Sequence, residues 1–165
     1  MKSEKKLVSA VSWSLPQPET QKIGWLSPLE INGVTEQGLF LRGVCYENRP
    51  NEAVTFQIEM GQAHLRARLP LCRIDWRPIA ATHRNERPLA KLHDLPRSIT
   101  GSHVHPFLMN WDESLGIMRP SNLPVASEIP IIINTFNNLL AFLGAEFNVV
   151  GVEKIPEPNW FRKLL

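Results

Sequence analysis

The sequence lacks the residues and runs that mark secreted and membrane proteins. Cys45 and Cys72 are its only cysteines and lie far apart, so the sequence predicts neither a disulfide framework nor a cysteine-rich zinc site. No stretch approaches the ~20 apolar residues that a membrane-spanning helix needs. We therefore expect no membrane partner and a reducing, cytoplasmic location.

Motifs that bind nucleotides or carry common catalytic nucleophiles are also missing. The chain contains no G-x-x-x-x-G-K phosphate loop, no G-x-G-x-x-G dinucleotide fingerprint and no G-x-S-x-G elbow of serine hydrolases. Neither cysteine has neighbours that favour nucleophilic attack. No cofactor is expected, and any chemistry must come from other side chains.

The composition is that of an ordinary globular protein. The 165 residues include 43% hydrophobic and 21% charged residues, whereas disordered chains have a much lower hydrophobic content. A chain of this length fits one domain. We expect a single domain over residues 1–165.

The first half of the chain has the pattern of strands joined by turns. Asn32-Gly33 suits a tight turn because both residues tolerate positive φ, and Ala53 to Met60 and His64 to Trp76 alternate apolar with other residues. Pro70 cannot donate a hydrogen bond to a neighbouring strand, so it should lie on an edge or at a bulge. These signals predict a strand meander over residues 20–76.

The second half predicts a loop, a strand and one main helix. Residues 77–109 form a histidine- and arginine-rich loop and strand, and Arg77 to Thr100 shows little periodicity. From Glu128 to Leu143 apolar residues recur at three- and four-residue spacing, and Gly144 is placed to end this helix. A final strand follows this helix within residues 128–155. The tail over residues 156–165 should dock onto the rest of the domain. The expected fold is α+β, with an antiparallel, curved sheet of about five to seven strands packed against one main C-terminal amphipathic helix.

The histidines and basic residues are concentrated in one part of the chain. All five histidines lie between His64 and His105, in a window with eight basic residues and only three acids. The net charge of +2 therefore hides one basic region. At its end, His103-Val104-His105 would place two imidazoles on the same face of an extended strand.

This combination of residues favours phosphodiester chemistry. A neutral imidazole takes a proton from the attacking hydroxyl and a protonated one gives a proton to the leaving oxygen, because the unperturbed pKa of histidine, ~6.5, lies near working pH. Arginine matches phosphate oxygens with its two-pronged donors. The candidates for proton transfer are His103, His105 and His83, and those for the phosphate are Arg84 and Arg73.

Three other interpretations stay open. A metal could use the H-x-H pair with a third ligand from His83, His93 or Asp112, although the surplus of arginine disfavours a dication. The basic window could bind nucleic acid without cleaving it, with Trp76 or Phe107 stacking on bases. The histidines and arginines could also simply line a sheet face and a loop. We take the metal-free site as the first hypothesis.

Three short motifs follow one another in the chain, namely Arg73-Ile74-Asp75, His83-Arg84-Asn85 and His103-Val104-His105. Their order resembles the R-x-D, H-R-N, H-x-H pattern of a poorly characterised family of small bacterial, prophage and mobile-element proteins, and the resemblance covers roughly Leu71 to Asn148. It implies one shared site, in which Asp75 orients an imidazole or holds Arg84. It also implies a link with toxin–antitoxin pairs or phage defence.

The first functional hypothesis is a metal-independent protein that cleaves phosphodiester bonds, such as a ribonuclease toxin or phage-conflict effector. Its partners would be nucleic acid, foremost RNA, and an antitoxin or defence-complex protein. The alternative is a noncatalytic component that binds nucleic acid or protein in a defence or counter-defence complex. The candidate catalytic residues are His103, His105 and His83, and the candidate substrate-binding residues are Arg84, Arg73, Asn85 and Asp75.

Overall fold

The computed structural model describes residues 3–61, 68–119 and 122–160, and these form an α+β fold dominated by sheet. The predicted α+β class is confirmed. The strands are β1 (Lys5–Leu7), β2 (Lys22–Ile31), β3 (Val34–Tyr46), β4 (Val54–Met60), β5 (Leu69–Trp76), β6 (Thr82–Arg84), β7 (Ser98–Thr100), β8 (His103–His105), β9 (Trp111–Asp112), β10 (Ile117–Met118), β11 (Ser127–Glu128) and β12 (Val149–Val150). The helices are α1 (Arg87–Leu92), α2 (Phe107–Asn110) and α3 (Phe136–Phe147), with a 3-10 turn at Val152–Lys154.

The main sheet differs from the predicted one in strand number and direction. Over the described residues it has eight strands instead of five to seven, in the order β11-β8-β5-β4-β3-β2-β1-β12. The sheet is mixed because β1 and β12 run parallel, while the remaining neighbours are antiparallel. The extra strands, β1, β11 and β12, lie at the edges of the sheet or next to one, and they carry too few residues to show a periodicity in the sequence.

Two local predictions about the strands are confirmed. Asn32 and Gly33 have φ angles of 52° and 76° and join β2 to β3 in a tight turn. Pro70 lies at an irregularity between β4 and β5, where Ile58 pairs with Cys72 but Glu59 pairs with Pro70. Residues 64–67 of the predicted alternation, which include His64, lie outside the described residues.

The segment predicted as a long loop has its own secondary structure. Strands β6 and β7 pair antiparallel, and α1 lies between them in the chain. This excursion begins after Trp76 and returns to the main sheet at β8. The loop prediction over Arg77 to Thr100 is therefore wrong, because three-residue strands and a six-residue helix are too short to give a clear period.

The main helix starts later than predicted and is only weakly amphipathic. The apolar spacing predicts that residues 129–135 belong to this helix, but they precede α3. Thr135 caps the first turn of α3, because its hydroxyl accepts a hydrogen bond from the backbone N–H of Asn138. Gly144 lies inside the helix, which ends before Asn148 in a left-handed conformation. Its exposed residues, Asn137, Asn138, Ala141, Ala145 and Glu146, include a single charge.

Alternation along the central strands gives the sheet one apolar face and one polar face. Phe56 on β4, Ile74 on β5 and Val104 on β8 lie in one row and are buried. Helix α3 belongs to the same core cluster through Phe136 and Leu139, and burial of such apolar surface contributes about 25 cal/mol per Å2. The opposite face of β4, β5 and β8 carries the polar side chains of the candidate site.

The end of the chain packs onto this core as far as the structure describes it. Trp160 contacts Phe136 edge to face, with 5.8 Å between ring centroids. Residues 161–165 of the predicted docked tail lie outside the described residues.

Candidate functional site

Two polar rows cross the central strands of the sheet. Strand register places Thr55, Asp75 and His103 in one row. The adjacent row, two residues along each strand, holds Gln57, Arg73 and His105. Because side chains two residues apart in a strand share a face, the R-x-D and H-x-H motifs bring their four polar side chains together. The R-x-D and H-x-H residues are therefore neighbours in the fold.

Arg73 is held by three acceptors. Its Nε donates to Asp75 Oδ2 at 2.7 Å, and its Nη1 donates to Asn122 Oδ1 at 3.3 Å. Its Nη2 lies 2.8 Å from His105 Nε2. The side chain is 15% exposed, so this pairing offsets the cost of removing a charge from water.

His105 is fully buried and neutral. Its Nδ1 lies 3.1 Å from the Val125 carbonyl oxygen, which only accepts, so Nδ1 carries a proton. Its Nε2 faces the guanidinium of Arg73, which only donates, so Nε2 accepts. Burial, together with the charge of Arg73 and against the opposing effect of Asp75, lowers the pKa of His105 to about 4.

His103 has the same anchoring but reaches a cavity. Its Nδ1 donates to the Gly101 carbonyl at 2.8 Å, which leaves Nε2 as the nitrogen that gains or loses a proton. This Nε2 lies 3.5 Å from Asp75 Oδ2. A proton on Nε2 of His103 would therefore have a carboxylate neighbour.

His83 arrives from the β6–β7 hairpin and completes a group of three imidazoles. Its ring centroid lies 5.1 Å from that of His103 and 4.8 Å from that of His105. Burial lowers the pKa of His83, the nearby His103 adds to this effect, and a hydrogen bond to the backbone of Pro124 partly opposes it. The Nε2 atom of His83 is buried and has no hydrogen-bond partner.

Asp75 is the shared acceptor of the site. It accepts hydrogen bonds from Arg73 and from the hydroxyl of Thr55, the latter at 2.8 Å. Burial alone would raise the pKa of Asp75, but the contacts with His103 and His105 and the charge of Arg73 outweigh burial and hold this pKa well below its ordinary value. Asp75 is therefore ionised.

A cavity of about 540 Å3 opens beside these residues. His83 and His103 line one end, Arg73 and Asp75 the middle, and His105 does not line it. The polar residues that line it are Arg42, Thr55, Gln57, Glu59, Arg68, Arg73, Asp75, Thr82, His83, His103 and Asn122. The volume lies within the range of small-molecule and cofactor sites.

The H-R-N tripeptide contributes only its histidine to the cavity. Neighbours in a strand point to opposite faces, and Arg84 is accordingly exposed and does not line the cavity. Asn85 is buried, and its amide makes three hydrogen bonds to backbone groups of Pro96 and Ala126. Its donors and acceptor are used inside the protein, so Asn85 fastens the hairpin to the segment before β11.

The remaining sequence candidates lie elsewhere. His93 ends α1 and Asp112 pairs with Arg119 at 3.0 Å, so neither belongs to the cluster of imidazoles. Trp76 is buried in the core, where its indole N–H donates to the Ile133 carbonyl. Phe107 stacks on Trp111 with 5.4 Å between centroids.

Several contributing residues carry no motif in the sequence. Asn110 is fully buried and its amide bonds to the Pro106 carbonyl and to both backbone groups of Val125. Asn122 accepts from Arg73. At the far end of the cavity Arg42 and Arg68 flank Glu59, with N–O distances of 3.3 and 3.4 Å. For Glu59, the sequence indicates only a polar residue within the alternating pattern of β4.

The described residues that could hold a metal together are His83, His103 and His105, whose ligand atoms lie within 4.8 Å of one another. Imidazole nitrogen suits zinc, copper, iron and nickel ions. The ring nitrogen of His105 that faces this group is engaged by Arg73. A metal and Arg73 would therefore use the same lone pair.

We predict that Asn85→Ala destabilises the protein by about 2–4 kcal/mol, because it leaves buried backbone groups of Ala126 and Pro96 without partners. Urea unfolding measures this loss. Arg84→Ala is the matched control, since its exposed side chain should change stability by less than ~0.5 kcal/mol. Equal effects of the two substitutions would contradict the assignment of Asn85 as a buried fastener.

A second prediction concerns the dependence of stability on pH, measured with chelator present. An unfolded histidine binds a proton near its ordinary value of 6.5, whereas His105 in the folded protein does so near 4, so stability falls as the pH falls through this range. The loss from this residue is about 3 kcal/mol. The lowered pKa of Asp75 changes the free energy of unfolding only as the pH falls below the ordinary pKa of 3.8, which lies outside the range from pH 6.5 to 4.

His105→Gln keeps an acceptor for Arg73 but does not titrate in this range. In this variant the free energy of unfolding should fall less between pH 6.5 and 4. The fall that remains is due to His83, whose pKa is also lowered. Parallel curves for the two proteins would show that His105 is not neutral and buried in this way.

The site thus combines two imidazoles on a cavity with an arginine fixed by three acceptors, which suits an anionic oxygen. In the part of the chain that the structure describes, no helix is both long and apolar enough to cross a membrane. Comparisons of the chain with protein families, with characterised proteins and with solved structures find no match. The functional assignment rests on the side chains of this site.

Proposed function

We propose that this protein cleaves phosphodiester bonds in RNA without a metal ion. The observation that carries the proposal is the placement of His83, His103 and Arg73 on one cavity, from three separate segments of the chain. Two imidazoles divide the proton transfers, and a guanidinium neutralises the phosphate oxygens. Such a site needs no further reactant when the substrate carries its own nucleophile.

RNA supplies that nucleophile as its 2′-hydroxyl. His83 removes the hydroxyl proton, the oxygen attacks phosphorus, and the bond from phosphorus to the 5′-oxygen breaks. His103 gives the leaving oxygen a proton from Nε2. The products are a 2′,3′-cyclic phosphate and a free 5′-hydroxyl, so atoms and charge balance without an added reactant.

The two histidines differ in ways that support these roles. Nε2 of His83 has no partner and can accept a proton, whereas Nε2 of His103 has the carboxylate of Asp75 at 3.5 Å. The unpartnered nitrogen of His83 makes no hydrogen bond that the substrate hydroxyl would have to displace. Each histidine that transfers a proton in this way contributes about 10²–10⁴-fold to the rate.

His105 and Asp75 act through their neighbours. His105 does not line the cavity, and its contact with Arg73 makes it a positioning residue for the guanidinium instead of a proton carrier. Asp75 holds Arg73 from the other side at 2.7 Å and stands beside His103. The phosphate would meet an arginine whose geometry is set before binding, which favours catalysis by preorganisation.

We propose a setting as well, on the basis of the resemblance to prophage and mobile-element proteins. The protein would act in the cytoplasm as a toxin or phage-conflict effector. An antitoxin or defence-complex protein would be its protein partner, and RNA its substrate.

We predict that the purified protein cleaves RNA in the presence of a chelator. His83→Ala and His103→Ala should each reduce kcat by about 10²-fold or more while the fold survives, because each removes one proton carrier. Gel analysis of a labelled RNA and detection of the cyclic phosphate end measure the reaction. His93→Ala, which removes a histidine outside the site, is the matched control.

The second candidate is noncatalytic binding of nucleic acid, and the far end of the cavity favours it. Arg42 and Arg68 are partly exposed there and extend the basic lining beyond the imidazoles. The same experiment decides between the two functions. If no RNA is turned over, yet the protein binds it with a steep salt dependence that Arg42→Gln weakens, binding without cleavage is the function.

A further inference from the structure

Backbone carbonyls orient two of the three imidazoles. Nδ1 of His103 donates to Gly101 and Nδ1 of His105 donates to Val125, while the backbone of Pro124 lies close enough to His83 to oppose the lowering of its pKa. Histidines that bind metals almost always donate their other ring N–H to a carbonyl or carboxylate, which fixes the tautomer. The rings of His103 and His105 therefore each keep Nε2 without a carbonyl.

These nitrogens lie close enough for one ion. The ligand atoms of the three histidines are within 4.8 Å of one another. Nitrogens bound to one zinc ion at about 2.0–2.1 Å are about 3.4 Å apart in a tetrahedron, so movements of about 1 Å would bring the rings together. Nε2 of His83 is buried and has no hydrogen-bond partner, so an ion would not have to displace a protein contact there.

Asp75 lies next to two of the three histidines. Its Oδ2 lies 3.5 Å from Nε2 of His103 and 3.3 Å from Nε2 of His105. It is not a member of the group of side chains whose ligand atoms lie within 4.8 Å of one another. A carboxylate at this distance would balance part of the charge of a dication held by the imidazoles.

Arg73 holds the same lone pairs in the free protein. It donates to Asp75 Oδ2 and lies 2.8 Å from His105 Nε2. A positive guanidinium and a dication cannot both occupy these acceptors, since they repel and need the same lone pairs.

We infer that His83, His103 and His105 form a binding site for a divalent transition-metal ion such as Zn2+, and that Arg73, which holds Nε2 of His105, competes with the ion. The metal occupies the nitrogens that the proposed cleavage needs and displaces the arginine that would bind phosphate. Metal binding and RNA cleavage therefore exclude each other, and Zn2+ inhibits the proposed reaction.

The test is a titration of the chelator-treated, full-length protein with Co2+, followed by the visible absorption of tetrahedrally coordinated cobalt. We expect one Co2+ per chain, displaced by Zn2+. His83→Ala and His103→Ala should abolish the absorption, whereas the control His93→Ala retains it. Arg73→Met should tighten binding by about 10-fold or more, because it removes the competitor for Nε2 of His105.

Circular dichroism checks that each variant is folded. His83 lies on the surface hairpin and is only half-buried, so His83→Ala carries the test if His103→Ala fails to fold. Absence of the cobalt absorption in the wild-type protein, unchanged binding in His83→Ala, or weaker binding in Arg73→Met would each overturn the inference.

The cobalt spectrum is independent of the proposed RNA cleavage. If the protein cleaves RNA in chelator but gives no cobalt spectrum, the metal site is contradicted and the proposed function is supported. If it gives a cobalt spectrum but does not cleave RNA in chelator, the metal-independent function is contradicted and the metal site is supported. Inhibition of wild-type cleavage by Zn2+ that chelator reverses, at the Zn2+ concentration that displaces Co2+, joins the two.

Discussion

The need to satisfy a largely shielded guanidinium controls the arrangement of this site. Arg73 can only donate, so every group around it must present a lone pair. Asp75 does so as an ionised carboxylate, His105 as a neutral ring, and Asn122 through its amide oxygen. Burial is the largest cause of the lowered pKa of His105, and the charge of Arg73 adds to it. For Asp75, the contacts with His103 and His105 and the charge of Arg73 outweigh burial and lower its pKa.

The segment of residues 122–126 also positions the side chains of the site, through its backbone carbonyls. Val125 accepts from His105, and the backbone of Pro124 opposes the lowering of the pKa of His83. Two buried amides, Asn85 and Asn110, fasten the backbone of Ala126 and Val125 in turn. Imidazoles from different strands thus lie beside one stretch of chain, so a loss at either asparagine would be felt in the geometry of the rings. This arrangement is rigid enough to present fixed donors to an anion or fixed lone pairs to a metal.

Sequence reasoning succeeded where a two-residue period decides the outcome. The R-x-D and H-x-H motifs share a sheet face because alternate residues in a strand do, and Pro70 marks a real irregularity because it lacks an N–H. The same alternation separates His83 from Arg84, so treating the tripeptide as one unit misplaced its arginine. The late start of α3 at Phe136 depends on the cap at Thr135, which competes with an apolar spacing that also fits a helix upstream. Contacts made by Asn110 and Asn122 join segments distant in sequence, and no local pattern predicts them.

In the proposed mechanism His83 and His103 face the ligand, while His105 only holds Arg73. Nitrogen-15 spectra of the histidine side chains, recorded at neutral pH in chelator with and without a noncleavable 2′-deoxy dinucleotide, distinguish these roles. We expect that His105 keeps its proton on Nδ1 in both states, and that the ligand shifts the ring nitrogens of His83 and His103. A His105 ring protonated on Nε2, or a ligand that shifts His93 and leaves His83 and His103 unchanged, would contradict the proposed mechanism.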